Sequence, residues 1–191
     1  FYADGSFKQH GTMAYTGGYG ADAIRGVAKI ASITTGTPWE CTEADPNMVY
    51  EWIMEGFRPL FAQGAMMEMV VGRQISRYNR NDITTARYIM DAILSLANNA
   101  PAQYKDELLS FAKTQAKLGI EYDPSIYYGG RLSFNSLITL KKLLADDSIP
   151  EYSKEYVKIF GQMDKATVQN PQFGLGISMY SSRTANAECG N

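Results

Sequence analysis

The residues best suited to chemistry lie near the start of the chain, around its only histidine, His10. Tyr15 and Tyr19 follow five and nine positions later, inside a glycine-rich stretch. Farther along, Arg73 and Arg77 are four positions apart. An imidazole and a phenol brought together by a tight turn can transfer protons, and guanidinium groups bind anions. Together these residue types suit chemistry on an acidic sugar polymer.

Each of these residues also has a structural interpretation. A single histidine beside glycines is often a surface or hydrogen-bonded structural residue, and Tyr15 is better explained by packing than Tyr19. If the segment of the two arginines is helical, Arg73 and Arg77 share one face. Their planar guanidinium groups then suit carboxylate and hydroxyl recognition, although a solvated helix face is the simpler alternative.

Composition excludes several classes of protein. The chain has 191 residues, enough for one domain with a sizeable core, and with 45% hydrophobic and 12% aromatic residues it should be globular rather than disordered. Its net charge of −2 gives no basic excess for nucleic acid and no polybasic segment for a membrane surface. No apolar run approaches the length of a transmembrane helix. We therefore expect neither a nucleic-acid nor a membrane partner.

The sequence also predicts no cofactor. Cys41 and Cys189 fit no metal-binding spacing, and a disulfide between them cannot be inferred. One histidine and no Cys-x-x-Cys pair argue against zinc. The glycines of residues 17–20 are not followed by Gly-Lys-Ser or Gly-Lys-Thr, so they indicate a turn rather than a phosphate-binding loop. Because the chain lacks a starting methionine, we expect a piece of a longer protein, and its missing signal peptide says nothing about export.

The periodicity of apolar residues predicts a mainly helical chain. Helices are expected at 22–33, at 45–58, from a cap at Asp82, from Pro101 to a cap at Gly119, at 132–144 and at 151–168. The second of these should bury Val49, Ile53 and Phe57, with Trp52, and should stop at Pro59. Residues 173–180 then alternate between large and small side chains, which is typical of a strand. The methionines of residues 66–69 are most simply core or interface residues. The prediction is a helical part over 1–169, followed by a linker and the start of a β domain over 170–191.

Three motifs occur in a fixed order along the chain. The first is Asp-Gly-Ser-Phe at 4–7 with His10 and Tyr-Thr-Gly-Gly-Tyr-Gly at 15–20. The second runs from Gly-Ala-Met-Met at 64–67 to Gly-Arg-Gln-Ile-Ser-Arg at 72–77, and the third covers 178–191. In these motifs the chain resembles polysaccharide lyase family 8, the hyaluronate, chondroitin AC and xanthan lyases.

The resemblance implies a secreted bacterial enzyme with an incomplete (α/α) toroid followed by antiparallel β domains. This chain would hold the C-terminal part of the toroid and the first strands of the β-sandwich domain. The catalytic asparagine and the aromatic substrate patch of the family precede the first motif, so they lie outside the chain. The rest of the same polypeptide is therefore an expected partner, and we expect little activity from the chain alone.

The resemblance also implies a reaction and its residues. Such enzymes cleave a 1,4 linkage to a uronic acid by β-elimination, which needs a base at C5 and an acid at the leaving oxygen. Tyr19 would be the base and then the acid, with His10 orienting the substrate or sharing the proton. A free tyrosine has a pKa of about 10, and a neighbouring cation such as Arg73 lowers such a value. Arg77, Glu188 and Asn191 would bind the substrate, an acidic polysaccharide.

Three alternatives remain at this point. Hyaluronan or chondroitin is the expected polymer, and xanthan is the alternative within the same chemistry. A non-catalytic carbohydrate-binding helical module would instead use exposed aromatic residues, for which Tyr122, Tyr127 and Tyr128 are candidates. A helical scaffold for protein partners would have a large apolar groove and would not depend on Tyr19.

Overall fold

Helices and short strands alternate through the part of the chain that the computed structural model describes, residues 1–43, 45–129 and 132–185. The α-helices are Ala21–Thr34 (α1), Met48–Glu51 (α2), Asp82–Ala97 (α3), Ala102–Tyr122 (α4), Ser125–Tyr128 (α5) and Phe134–Ala145 (α6). The strands are Lys8–Gln9 (β1), Met13–Ala14 (β2), Phe61–Ala62 (β3), Ala65–Met66 (β4), Tyr156–Phe160 (β5), Lys165–Gln169 (β6) and Gly174–Ser178 (β7). No helix within these ranges is long and apolar enough to cross a membrane.

Helix α3 organises the helical part because it is buried on several sides. Its residues Ile89, Met90 and Ile93 are fully buried, and α1, α4 and α6 all pack against it. The helix begins with a capping box, in which the Asn81 side chain accepts from the Thr84 N–H at 2.8 Å and the Thr84 hydroxyl accepts from the Asn81 N–H at 3.0 Å. The predicted cap at Asp82 is therefore wrong by one residue.

The segment 45–60 is helical but irregular. A single turn of α-helix, α2, continues into the π-helical turn Trp52–Phe57 and the 3-10 turn Arg58–Leu60. The predicted apolar face is confirmed, since Ile53 and Phe57 are fully buried. Pro59 does not stop the helix as expected, because it lies in the first turn of the 3-10 helix, where a missing N–H is tolerated.

Gly119 is not the end of α4, which continues to Tyr122. A Cβ at Gly119 would lie 2.8 Å from the Tyr127 ring, so the glycine allows that ring to pack on the helix. Tyr127 is buried, and the loss of contact with water raises the pKa of its phenol. Tyr127 is therefore a core residue rather than part of an exposed aromatic surface.

The helix predicted at 151–168 is wrong, because this segment forms an antiparallel hairpin of β5 and β6. The apolar residues there fit helical spacing by coincidence. Gly161 and Asp164 lie in the turn between the strands, and Asp164 has a left-handed backbone with φ of 50°. The predicted strand after residue 172 is confirmed as β7, which pairs with β6. The boundary near residue 170 stays a prediction, although the sheet begins at Tyr156.

The two faces of this sheet have an unusual polarity. Lys165, Thr167 and Gln169 of β6 are all buried, and the Gln169 amide donates to the Phe61 carbonyl at 2.7 Å. The opposite face is apolar and open to solvent, and its exposed members include Val157, Ile159, Leu175 and Ile177. The face directed at the helices is therefore the polar one. Mainly helical architecture followed by antiparallel strands confirms the predicted fold class.

Candidate active site

Two glycines position the tyrosines at the start of the chain. Tyr15 precedes the π-helical turn Thr16–Gly20 and is completely buried. A Cβ at Gly18 or at Gly72 would lie 2.3 Å from the Tyr15 ring, and Gly72 also has a left-handed φ of 55°. Only glycine fits at these two positions. The Tyr15 ring thus fills the space under the turn, as its predicted packing role requires, and Tyr19 lies above it, half-buried.

Three aromatic rings meet at this turn. The ring centroids of His10 and Tyr19 are 5.1 Å apart, and those of Tyr15 and Tyr19 are 4.9 Å apart, both in edge-to-face geometry. His10 is exposed and has a left-handed φ of 51°, which is uncommon for a residue other than glycine. The turn between β1 and β2 therefore presents His10 to solvent beside Tyr19, and the structure brings together two of the predicted site residues.

Arg73 joins this group through a direct hydrogen bond. Its Nη2 donates to the Tyr19 hydroxyl oxygen at 3.1 Å. Arg73 lies in the 3-10 helix Gly72–Ser76, directly after the glycine that contacts Tyr15. A guanidinium at this distance stabilises negative charge on a phenol oxygen. The Tyr19 hydroxyl therefore has a cation as its direct hydrogen-bond donor.

Arg77 does not share a face with Arg73, contrary to the expectation for an α-helix. A 3-10 helix has three residues per turn, so positions i and i+4 point in different directions. The helix also ends at Ser76, and Arg77 is extended, with φ of −81° and ψ of 122°. Its side chain is exposed to solvent. The prediction that Arg77 binds substrate stays untested.

Arg80 also lies in this region, although no sequence motif indicated it. Its Nη2 donates to the Gly17 carbonyl at 3.3 Å, and its Nε donates to the Thr85 hydroxyl at 3.4 Å. The guanidinium also lies 5.6 Å from the Tyr88 ring centroid. Burial lowers the pKa of Arg80, and the nearby carboxylate of Asp22 opposes this shift. Arg80 thus ties the turn that carries Tyr19 to helix α3.

A network around Asp164 fixes the sheet next to the site. One carboxylate oxygen of Asp164 accepts from Arg183 at 2.6 Å, and the other accepts from the hydroxyls of Ser181 and Thr184 at 2.6 and 2.5 Å. These hydrogen bonds, with the charge of Arg183, hold the pKa of Asp164 at about 2. Arg183 and Asp164 therefore form a salt bridge. Ala185, which follows Thr184, donates its N–H to the Thr12 carbonyl at 3.2 Å. This hydrogen bond links the Asp164 network to the turn that carries His10.

A cavity of about 290 Å³ lies between the Arg73 segment and the sheet, and we call it the Arg73 cavity. Its wall on one side includes Met69 and Arg73, and its wall on the other includes Lys165, Met179 and Tyr180. Its volume is at the lower end of small-molecule pockets, which are roughly 300–1,000 Å³. The cavity therefore extends the site from Arg73 toward the strands.

Some predicted residues lie outside the described part of the chain, namely Glu188, Cys189 and Asn191. Cys41 is an exposed free thiol. In the described ranges, no group of three or more His, Cys, Asp or Glu side chains could hold a metal ion. Tyr122 and Tyr128 are exposed, but Tyr127 between them is buried, so the three do not form one aromatic platform.

Two sequence families match the chain. Residues 1–114 match "Polysaccharide lyase family 8, N terminal alpha-helical domain", and residues 155–191 match "Polysaccharide lyase family 8, super-sandwich domain". A xanthan lyase of Bacillus sp. (strain GL1) is 38% identical over 98% of the chain and 20% of its own length. A hyaluronate lyase of Staphylococcus aureus is 29% identical over 98% of the chain and 23% of its own length. The chain thus spans about a fifth of the length of these relatives.

Solved structures agree with this assignment. A Paenibacillus xanthan lyase superimposes with a TM-score of 0.90 and 34% identity, over 99% of this chain and 18% of that protein. A Streptomyces coelicolor chondroitin AC lyase in complex with chondroitin sulphate superimposes with a TM-score of 0.86 and 28% identity, over 100% of this chain and 27% of that protein. The order of the motifs, the fold and the matched families lead to one conclusion: the chain belongs to polysaccharide lyase family 8.

Proposed function

We propose that the protein containing this chain cleaves a uronic-acid polysaccharide by β-elimination, with Tyr19 transferring the proton. The observation that carries the proposal is the hydrogen bond from Arg73 to the Tyr19 hydroxyl, 3.1 Å long, beside the exposed His10. A phenol, a guanidinium and an imidazole thus lie together at one point, which supports the proposal. Relatives that are named xanthan, hyaluronate and chondroitin AC lyases support the reaction class.

The proposed reaction uses Tyr19 twice. Its phenolate takes the proton from C5 of the uronic acid, and the electron pair of that C–H bond forms a double bond between C4 and C5. The bond from C4 to the glycosidic oxygen breaks at the same time. The protonated tyrosine then delivers its proton to the leaving oxygen, which restores the phenolate and balances the reaction.

The neighbouring residues have supporting roles in this proposal. Arg73 stabilises the negative charge that Tyr19 carries before and after the transfer. His10 is exposed beside Tyr19 and orients the substrate carboxylate or shares the proton. Arg77, which is exposed, contacts the polymer together with Glu188 and Asn191, which lie outside the described residues. Groups that neutralise the substrate carboxylate are expected in preceding parts of the polypeptide, where the family has its catalytic asparagine.

The identity of the polymer is the finer part of the proposal. Hyaluronan and chondroitin were the expected substrates, with xanthan as the alternative. The xanthan lyase relative is 38% identical, whereas the hyaluronate lyase of similar coverage is 29% identical. This difference favours xanthan. We propose that the substrate is a polymer that contains glucuronic acid. A parallel assay with hyaluronan, chondroitin and xanthan identifies which one.

Other parts of the same polypeptide are the proposed partner of the sheet. The outer face of β5 and β7 exposes Val157, Ile159 and Leu175, each at least half accessible to solvent. An apolar patch of this kind is normally covered. Residues 155–191 match a super-sandwich family, in which a second sheet would cover such a face. We also propose that the protein acts outside the cell, where its polymer is found.

The test is elimination itself, followed by the ultraviolet absorbance of the unsaturated uronate product. The full-length protein and its Tyr19→Phe variant are incubated with hyaluronan, chondroitin and xanthan in parallel. An absorbance rise with one polymer, lost in the variant, supports the proposal and identifies the substrate. If no polymer gives a rise although at least one binds, the function is binding rather than catalysis, and the proposal is wrong.

A further inference from the structure

Lys165 is a buried cation that the proposed mechanism does not use. Only 5% of its surface is accessible, and it is the first residue of β6, the central strand of the sheet. Among the described residues, its ammonium has one hydrogen-bond acceptor, the Met179 carbonyl, at 3.1 Å. An ammonium can donate three hydrogen bonds. Two of its donors are therefore available to a group in the space beside it.

The neighbouring carboxylate of Asp164 does not satisfy Lys165. Both of its oxygens accept short hydrogen bonds from Ser181, Arg183 and Thr184. Burial lowers the pKa of Lys165 even though Asp164 opposes this shift. A buried ammonium with one hydrogen-bond acceptor among the described residues is stabilised when an anion lies beside it.

The space beside Lys165 is the Arg73 cavity, and both cations line it. Glu68 also lines the cavity, but its side chain is exposed to solvent. Tyr180, which is 70% accessible, adds an aromatic ring, and Met69 and Met179 add apolar surface. Two cations, an exposed ring and apolar surface match the groups of an acidic sugar, which has a carboxylate and an apolar ring face.

We propose that the Arg73 cavity is a subsite for a carboxylate-bearing sugar unit of the polymer, and that Lys165 binds the carboxylate. The inference rests on the proposed function, because Arg73 both lines this cavity and donates to Tyr19, the proposed proton-transfer residue. Tyr180 stacks on the sugar ring, and Arg73 contributes positive charge from the opposite wall. Lys165 is then a specificity residue, which selects acidic over neutral sugar units.

The experiment measures binding without turnover, in the full-length protein with the Tyr19→Phe substitution. The probes are a hyaluronan tetrasaccharide and a xanthan repeat-unit oligosaccharide, each in its acidic form and in a neutral form with reduced carboxyl groups. Lys165→Gln is compared with Lys165→Arg, which keeps the charge, and thermal unfolding checks the folding of each variant. Lys165→Met is a second neutral variant, since methionine has a long, flexible and uncharged side chain.

We expect Lys165→Gln and Lys165→Met to weaken binding of one acidic oligosaccharide roughly 10- to 100-fold, the effect of losing a charge-assisted hydrogen bond. Binding of its neutral form should stay unchanged, and Lys165→Arg should bind the acidic form within a few-fold of the parent. The inference is overturned if the neutral variants bind the acidic form as tightly as the parent, or if the parent binds neither probe. If the unmutated protein eliminates its substrate but the Lys165 variants bind like the parent, the subsite is wrong and the reaction stands. If the Lys165 variants lose binding but the unmutated protein does not eliminate, the reaction is wrong and the subsite stands.

Discussion

The two walls of the site are held in different ways. On the turn wall, Tyr15 is completely buried, and Gly18 and Gly72 contact its ring so closely that no side chain would fit. On the sheet wall, the turn that follows β7 is held by hydrogen bonds to the largely buried carboxylate of Asp164. Packing allows one arrangement of the turn wall, whereas hydrogen bonds to a carboxylate depend on its charge.

This difference indicates a division of labour. Groups that transfer protons must be held within a fraction of an ångström, and Tyr19 and Arg73 lie on the wall that packing fixes. Groups that select a sugar tolerate more adjustment, and Lys165 and Tyr180 lie on the other wall. Substitutions on the turn wall should therefore change the rate of reaction, and those on the sheet wall should change binding or stability.

The largest effect is expected for Arg73→Gln in the full-length protein. It removes the donor to the Tyr19 oxygen, and loss of one such preorganised group lowers kcat by about 100- to 1,000-fold. Arg77→Gln is the matched control, since Arg77 is exposed and lies outside the 3-10 helix. It should raise KM by about fivefold or less. Steady-state elimination kinetics measure both, and equal losses of kcat would remove the distinction between the two arginines.

A smaller effect on the same wall is expected for Arg80→Met. The substitution removes the hydrogen bond to the Gly17 carbonyl and loosens the turn that carries Tyr19, so kcat should fall roughly tenfold with little change in KM. Arg80→Lys should recover part of the loss. Arg25→Met is the control, because Arg25 also lies over the Tyr88 ring, at 4.4 Å from its centroid. If both methionine variants lose the same activity, the link from Arg80 to the turn has no role in positioning Tyr19.

The smallest effect is expected on the sheet wall, where Asp164→Asn should change stability rather than rate. The folded state lowers the pKa of Asp164 from 3.8 to about 2, so its contribution is fully present above pH 4 and is lost as pH falls toward 2. At neutral pH the variant should unfold about 2 °C below the parent. The difference should shrink as the pH is lowered through this window.

Melting curves of the parent and of Asp164→Asn are recorded from roughly pH 7 to pH 2.5, because the stabilisation by the Asp164 charge is lost within this range. Asp147→Asn is the control, because Asp147 is exposed on the surface. A difference in melting temperature that does not depend on pH would mean that the Asp164 charge does not stabilise the turn. A kcat as low as that of Arg73→Gln would contradict the proposed division between the walls.

Local signals in the sequence predicted part of this structure well. Helix α1 lies within one residue of its predicted range, because a glycine-rich turn precedes it and its apolar residues recur at helical spacing. The hairpin of β5 and β6 was missed, because the apolar residues of 151–168 also fit helical spacing. Residues 165–169 alternate between polar and apolar side chains, but the buried ones, Lys165, Thr167 and Gln169, are the polar ones. Inward polar residues are explained only by the helical surface they face, which is not visible in the sequence.

The site was predictable to the extent that its motifs are contiguous. Residues 4–20 and 72–77 indicated His10, Tyr19 and Arg73, which the structure brings together. Arg80 and Lys165 had no motif to indicate them, since their roles depend on contacts with Gly17 and with the Arg73 cavity. Arg77 was placed beside Arg73 on the assumption of an α-helix, and the 3-10 geometry separates them.

The most direct test of the central claim is removal of the C5 proton by the full-length protein. Loss of substrate and incorporation of deuterium at C5 are measured in heavy water for the unmutated protein, Tyr19→Phe and Tyr15→Phe. Tyr15 is the matched control, because its ring contacts Tyr19 but is completely buried. The account predicts that Tyr19→Phe neither eliminates nor exchanges the C5 proton, whereas a folded Tyr15→Phe does. Removal of that proton by Tyr19→Phe at an undiminished rate would contradict the account.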